Sequence, residues 1–167
     1  TDSGGGTGTD SGGGTPPREC LVAGTAIWTD RGPMPVEEVQ VVDVVLAKHP
    51  ETGELDYHPV LRTTVRKAEP VMKVTTDKGF LRATGGHTFW ISGQGWTKLR
   101  DVKVGQRFHS ANGPVEVKGL ETDGTEETFN LLVANVHTYF AGPDFVLSHD
   151  VTVARPVDVL VPGFVQR

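Results

Sequence analysis

Val71-Met72-Lys73-Val74-Thr75-Thr76-Asp77-Lys78-Gly79-Phe80-Leu81-Arg82-Ala83-Thr84-Gly85-Gly86-His87 is the stretch on which the fold turns. It holds two short apolar runs, 71–76 and 80–84, either side of an Asp-Lys-Gly turn signal. Each run has the length of a strand, and the turn triplet is of the kind that links strands. Outward from it the pattern repeats in both directions. Upstream lie runs 25–29, 43–48 and 59–66; downstream lie 88–92, 107–110, 115–121, 127–133, 138–141 and 145–148. Between them stand Asp30-Arg31-Gly32-Pro33, Glu51-Thr52-Gly53, Asn112-Gly113 and Asp123-Gly124, all turn candidates. Helical hints are confined to one-turn pieces, at 35–39 and 96–102. Many short strands with regular turns predict an all-β fold rather than alternating strands and helices.

The first nineteen residues differ in kind. TDSGGGT occurs at 1–7 and again at 9–15, and the stretch has no Val, Leu, Ile or aromatic side chain. Gly and Ser at this density predict a flexible linker that cannot bury a core. Pro16 and Pro17 stiffen its end, just before Arg18-Glu19-Cys20. The segment 151–167, Val-rich and interrupted by Pro, is expected either to add a strand or to begin the next unit. This divides the chain into a linker (1–19), one β domain (20–150) and a downstream flank (151–167).

Composition bounds the function. The 167 residues carry a net charge of -5, which argues against a nucleic-acid surface. No apolar run approaches the roughly 20 residues of a membrane-spanning helix. The chain opens at Thr1 with neither Met nor a charged-then-apolar leader, and so reads as a fragment of something longer. A single cysteine forbids an internal disulfide, and six histidines with no His-x-x-x-His spacing make a closed zinc site unexpected. No metal or cofactor is therefore expected. Trp28, Trp90 and Trp96 read as core or edge aromatics, and Lys98-Leu99-Arg100 as a solvated face.

Cys20 is then either an inert core thiol or a nucleophile. Taken singly, Thr84 is a strand-end hydroxyl and His87 a half-buried structural histidine. Their company decides. Cys20-Leu21-Val22-Ala23-Gly24-Thr25-Ala26-Ile27 resembles the N-terminal motif of inteins and Hint domains, in which Cys is followed by a Gly-Thr pair opening a strand. Met34-Pro35-Val36-Glu37-Glu38-Val39, followed by Asp43-Val44-Val45-Leu46-Ala47, resembles the next family segment, with Val42 where the family usually has Gly. Thr84-Gly85-Gly86-His87 fits the Thr-x-x-His motif. Phe129-Asn130-Leu131-Leu132-Val133, His137-Thr138-Tyr139-Phe140 and Val146-Leu147-Ser148-His149 complete the set, Asn130 fitting the bacterial branch where many inteins carry Asp. The resemblance spans residues 20–150. It implies a horseshoe-like β fold with one or two single-turn helices, and autocatalytic cleavage at the Glu19–Cys20 bond.

By that resemblance, the Cys20 thiol attacks the Glu19 carbonyl and converts the amide into a thioester. His87 gives a proton to the departing nitrogen, and Thr84 holds the tetrahedral intermediate or orients the scissile peptide. The Gly85-Gly86 pair leaves room for close approach at the shared turn.

At the other end, splicing needs a final Asn, whose amide cyclises onto its own carbonyl, and then Cys, Ser or Thr to accept the acyl group. Here Asp150 and Val151 stand instead, and Thr152 comes one residue late. Efficient splicing is not expected. A carboxylate attacking its own carbonyl gives an anhydride only slowly, so cleavage after Asp150 is expected to be slow or impaired. The family places assisting histidines where His149 and His137 stand; their plainer readings are a strand-end side chain and a turn residue stacked on Tyr139. The domain would act once on itself, with its own flanks as partners, as a monomer without nucleic acid, membrane or cofactor. In bacterial Hint proteins such processing matures a secreted, often toxin-like neighbour, which implies a place in a secreted or cell-surface protein. The competing reading is a processing-dead Hint fold serving as a rigid spacer or binding module. A cysteine protease acting on other proteins needs an open cleft, and no feature of the sequence indicates one.

Overall fold

A computed structural model describes residues 20–152. The linker (1–19) and the segment 153–167 lie outside the described residues, as do the expectations that fall on them. In chain order the strands are β1 (Leu21–Val22), β2 (Ala26–Thr29), β3 (Gly32–Pro35), β4 (Val44–Lys48), β5 (Leu55–Thr76), β6 (Phe80–Thr84), β7 (Thr88–Ile91), β8 (Gly95–Lys98), β9 (Arg107–Phe108), β10 (Val115–Val133), β11 (Thr138–Ala141) and β12 (Val146–His149). One-turn 3-10 helices stand at Val36–Glu38 and Leu99–Asp101. The fold is all-β, as the runs and turns predict.

All twelve strands join one antiparallel sheet in the order β11-β12-β7-β9-β10-β1-β6-β5-β4-β2-β3, with β8 on β7. Two further pairings, β11 with β2 and β10 with β5, close the sheet on itself. The opening stretch forms the β5–β6 hairpin, in register from Val71 opposite Thr84 to Thr75 opposite Phe80. Its turn is fastened by Thr76, whose hydroxyl oxygen accepts from the Lys78 and Gly79 amides.

The structure departs from the sequence reading in its long strands. Runs 59–66 and 71–76 belong to one strand of 22 residues, and 115–121 and 127–133 to one of 19. Asp123-Gly124 is therefore no hairpin turn. It lies where the β5–β10 register shifts between Thr122 and Thr125, one of four such shifts along the ribbon. Bulges of this kind let long paired strands bend without breaking the ladder. Arg82 on neighbouring β6 anchors the bulge, its Nε donating to Asp123 Oδ2 at 2.7 Å and its guanidinium also pairing with Glu126. In 96–102, residues 96–98 are strand and only Leu99–Asp101 turn helically. Leu99 is fully buried, so Lys98-Leu99-Arg100 is not one solvated face; only its two cations are exposed.

The main core is aliphatic, built from Leu21, Ile27, Val45, Val60, Val74, Leu131 and Val133 with Phe89, Phe108 and Tyr139. A smaller cluster gathers Trp90, Phe140 and Leu147, with Trp28, Leu46, Trp96 and Phe145 against it. This accounts for all three tryptophans.

Candidate autoprocessing site

β10 brings the two ends of the domain together. Leu21 lies opposite Phe129 and Val22 opposite Thr128, so the chain runs back from β1 toward Asn130 and Leu131. At those same positions the other end arrives: the Val151 amide donates to the Leu131 carbonyl at 2.9 Å, and the Val133 amide to Asp150 Oδ2 at 2.8 Å. Between them sits Asn130, fully buried, its Oδ1 accepting from the Leu131 amide at 2.7 Å and the Tyr139 hydroxyl at 2.6 Å. Tyr139 is thus committed to Asn130 and to an edge contact with His87.

At the first end, Cys20 is buried. Its amide N–H, the nitrogen of the Glu19–Cys20 bond, donates to Thr84 Oγ1 at 3.1 Å, while the Thr84 amide donates to the Cys20 carbonyl at 2.9 Å. Thr84 ends β6, and the chain then turns tightly, the His87 amide donating back to the Thr84 carbonyl at 3.1 Å. Two amides of the following one-turn helix pin this turn from outside: Leu99 donates to the His87 carbonyl and Arg100 to that of Gly85, both at 2.9 Å. The room at Gly85 is filled by side chains rather than backbone, since an added Cβ would stand 3.3 Å from the Met72 sulfur and 3.4 Å from Arg100 Cβ. The His87 ring is fully buried, 4.7 Å between centroids from Phe89 and 6.4 Å from Tyr139.

At the second end, Asp150 is 0% exposed and its carboxylate accepts from four donors. Oδ2 takes the Val133 amide and, at 3.0 Å, His137 Nδ1. Oδ1 takes the Thr152 amide at 2.9 Å and the Thr152 hydroxyl at 2.5 Å. A carboxylate only accepts, so the proton on this face of His137 is on Nδ1. His137 itself holds a left-handed backbone, φ 60°, at the turn into β11. His149 Nδ1 lies 3.3 Å from the Asp150 carbonyl oxygen, the carbonyl of the Asp150–Val151 peptide. Burial pushes the His149 pKa down, against the raising effect of Asp150, and its ring stands edge-on to Trp96 at 4.9 Å. Of the six sequence-flagged side chains within 20–150, Cys20 and Thr84 meet at the first end with His87 on the same turn, and His137, His149 and Asp150 meet at the second. Glu19 lies outside the described residues.

Sequence reasoning missed a second polar pair. Lys48 Nζ and His109 Nε2 are 3.1 Å apart and both residues are buried. Burial, and then the Lys48 charge, push the His109 pKa down to about 4. Neither residue sits in a motif, and 61 positions separate them. Among the described residues no cluster of three or more His, Cys, Asp or Glu is placed to hold a metal, and no helix is long and apolar enough to cross a membrane.

The closed β fold, with a cysteine and an acidic residue led to one strand, defines a domain of the Hint and intein class. Residues 26–154 match the family model described as the pretoxin HINT domain, and this chain belongs to that family. The match begins after Cys20. Among solved structures, a bacterial intein-like domain from Clostridium thermocellum is 28% identical with a TM-score of 0.74, the alignment covering 78% of this chain and 98% of that one. A DnaB intein from Synechocystis sp. PCC 6803 has 18% identity and a TM-score of 0.69, over 78% of this chain and 97% of that one. The DnaX mini intein from Spirulina platensis has 22% identity and a TM-score of 0.69, over 78% and 99%. The last two show the fold alone. No curated protein sequence matches this chain.

Proposed function

We propose that this domain cuts its own N-terminal flank, once, through Cys20. The thiolate adds to the Glu19 carbonyl carbon, and the C–N bond to Cys20 breaks. That nitrogen takes a proton from His87 and becomes the free amine of Cys20. The resulting thioester yields to water or a small thiol, releasing residues 1–19.

The observation that carries this reading is the hydrogen bond from the Cys20 amide to Thr84 Oγ1. It ties down the nitrogen that must leave, next to the nucleophile, by a residue whose turn also carries His87. Holding the reacting peptide in one orientation is worth orders of magnitude in rate. Domain limits of 20–150 follow, with the two flanks as the only partners the chemistry requires and the monomer as the acting unit.

At the far end the same reading assigns slow or impaired cleavage after Asp150 and no efficient splicing. The carboxylate is held by four donors and Val151 carries no nucleophile.

Intact mass spectrometry of the purified chain, incubated with and without a small thiol, tests the proposal. Thiol-dependent loss of residues 1–19, abolished by Cys20→Ala, supports it. An unchanged mass over days, from mildly acidic to mildly basic pH, overturns it and leaves a rigid spacer.

A further inference from the structure

Val60 marks the point where β5 changes neighbours. Its amide donates to the Asp43 carbonyl at 2.8 Å and its carbonyl accepts from the Val42 amide at 2.9 Å. The carbonyl of the preceding residue, Pro59, accepts instead from Ala134, just past the end of β10. Successive residues of a strand direct their N–H and C=O groups to opposite edges, so β4 and β10 flank β5 on opposite edges. β6 takes up the edge away from β10 at Val71, opposite Thr84, since β10 pairs with 72–76 from the other side. Between these points, over 61–67, β10 covers one edge and no described strand covers the other.

The open edge carries an unusual set of side chains. Leu61 is 53% exposed and Val65 57%, with exposed Val41 and Val42 at the end where β4 begins. Among them stand Arg62, Arg66 and Lys67, and among the described residues none of the three is in an ion pair. A chain of net charge -5 thus gathers three cations, and no anion, within 61–67. Cations on an edge deter pairing with a basic strand. The same charges attract an acidic one, and covering Leu61 and Val65 removes apolar surface from water. Only another strand satisfies a row of N–H and C=O groups, which a phosphate backbone or a lipid surface does not.

We propose that the open edge of β5, residues 61–67, docks an extended acidic segment of a partner protein, added as a strand in line with β4. The β5–β10 register is regular from Arg62 to Arg66, so Arg62 and Arg66 project from one face and Val65 from the other. The fitting segment therefore alternates acidic and apolar residues, its carboxylates beside the two arginines. Main-chain bonds supply affinity, and the charge pattern selects the partner. The site needs no cleavage at Cys20.

The test uses the full chain with Cys20→Ala and a capped peptide of about eight residues alternating glutamate and valine. Amide shifts in two-dimensional NMR are expected at 61–67 and across the ladder at 128–132. The peptide should bind about tenfold more tightly than its lysine–valine counterpart, and Arg62→Gln with Arg66→Gln should remove that preference. Methylating the backbone nitrogens of one alternate set of peptide residues should abolish binding, and of the other set should not. If neither set matters, the edge only attracts charge and strand addition is overturned. Absence of binding, equal affinity for the two peptides, or shifts centred outside β5 and β10 overturns the site. A dimer in sedimentation that Arg62→Gln with Arg66→Gln alters would give the edge to a second copy of this chain, and overturns the acidic partner.

Discussion

The two ends of this domain reach the same strand and are treated in opposite ways. At the first, the contact falls on the peptide that the proposed chemistry breaks: Thr84 takes the N–H of the Glu19–Cys20 bond. At the second, the reacting group itself is tied, all four contacts falling on the Asp150 carboxylate. Orienting a leaving group lowers a barrier, whereas saturating a nucleophile with donors lowers its ground state and raises one. On the proposed chemistry, one sheet would serve an active and a quiet terminus, with hydrogen-bond placement rather than topology making the difference.

Thr84→Val bears hardest on that contrast. It keeps the shape of the side chain and removes the acceptor for the Cys20 amide. Release of residues 1–19 is expected to slow by about 10- to 100-fold, while Thr84→Ser retains most of the rate. Cleavage after Asp150, measured in the same mass spectra, should not change. A Thr84→Val rate within twofold of the parent would show that the amide contact does not orient the bond.

Asp150→Asn probes the quiet end. An amide oxygen still accepts from the Val133 N–H and His137, but the amide nitrogen then faces two donors on Thr152, its N–H and its hydroxyl. That mismatch frees the nitrogen beside its own backbone carbonyl, on which His149 already places a donor. Loss of residues 151–167 is expected to accelerate about tenfold or more, with N-terminal release unaffected. If the flank is retained as long as in the parent, the four-donor arrangement is not what holds this end in check.

These residues were legible in the sequence to different depths. Cys20, Thr84 and His87 stand in short motifs whose spacing survives as local geometry, since four residues of one turn carry two of the three. Asp150 was legible as a departure from Asn, but the Thr152 hydroxyl that locks it was read only as an acceptor one residue too late. Asp123-Gly124 misled because Asp-Gly favours a positive φ, which Gly124 has at 76°, in a bulge as readily as in a hairpin. Only the uninterrupted partner strand distinguishes the two. Val42 shows the reverse case: the missing family glycine was visible, and the structure adds its cost, a β-branched residue at φ 71° and 77% exposed. Lys48 and His109 were invisible because the fold, not spacing along the chain, brings these two positions 61 apart into contact.

The smallest effect is expected from acid, and it should also divide the two ends. His109 belongs to the second: its amide donates to the Trp90 carbonyl, and its carbonyl accepts from Leu147 of β12. Its pKa is lowered from 6.5 to about 4. A folded pKa below the unfolded one means that, between those values, the unfolded chain binds the extra proton. The stability contributed by the neutral imidazole is therefore whole above about pH 6.5, declines as pH falls, and levels off near pH 4. Between pH 7 and pH 5 the melting temperature should drop by several degrees, and His109→Gln should flatten that drop by about 2 °C. Amide exchange locates the change: the Leu147 N–H should lose protection on acidification before the Thr84 N–H does. Simultaneous loss at both amides would mean that the two ends unfold as one unit, so that their difference lies in chemistry and not in stability.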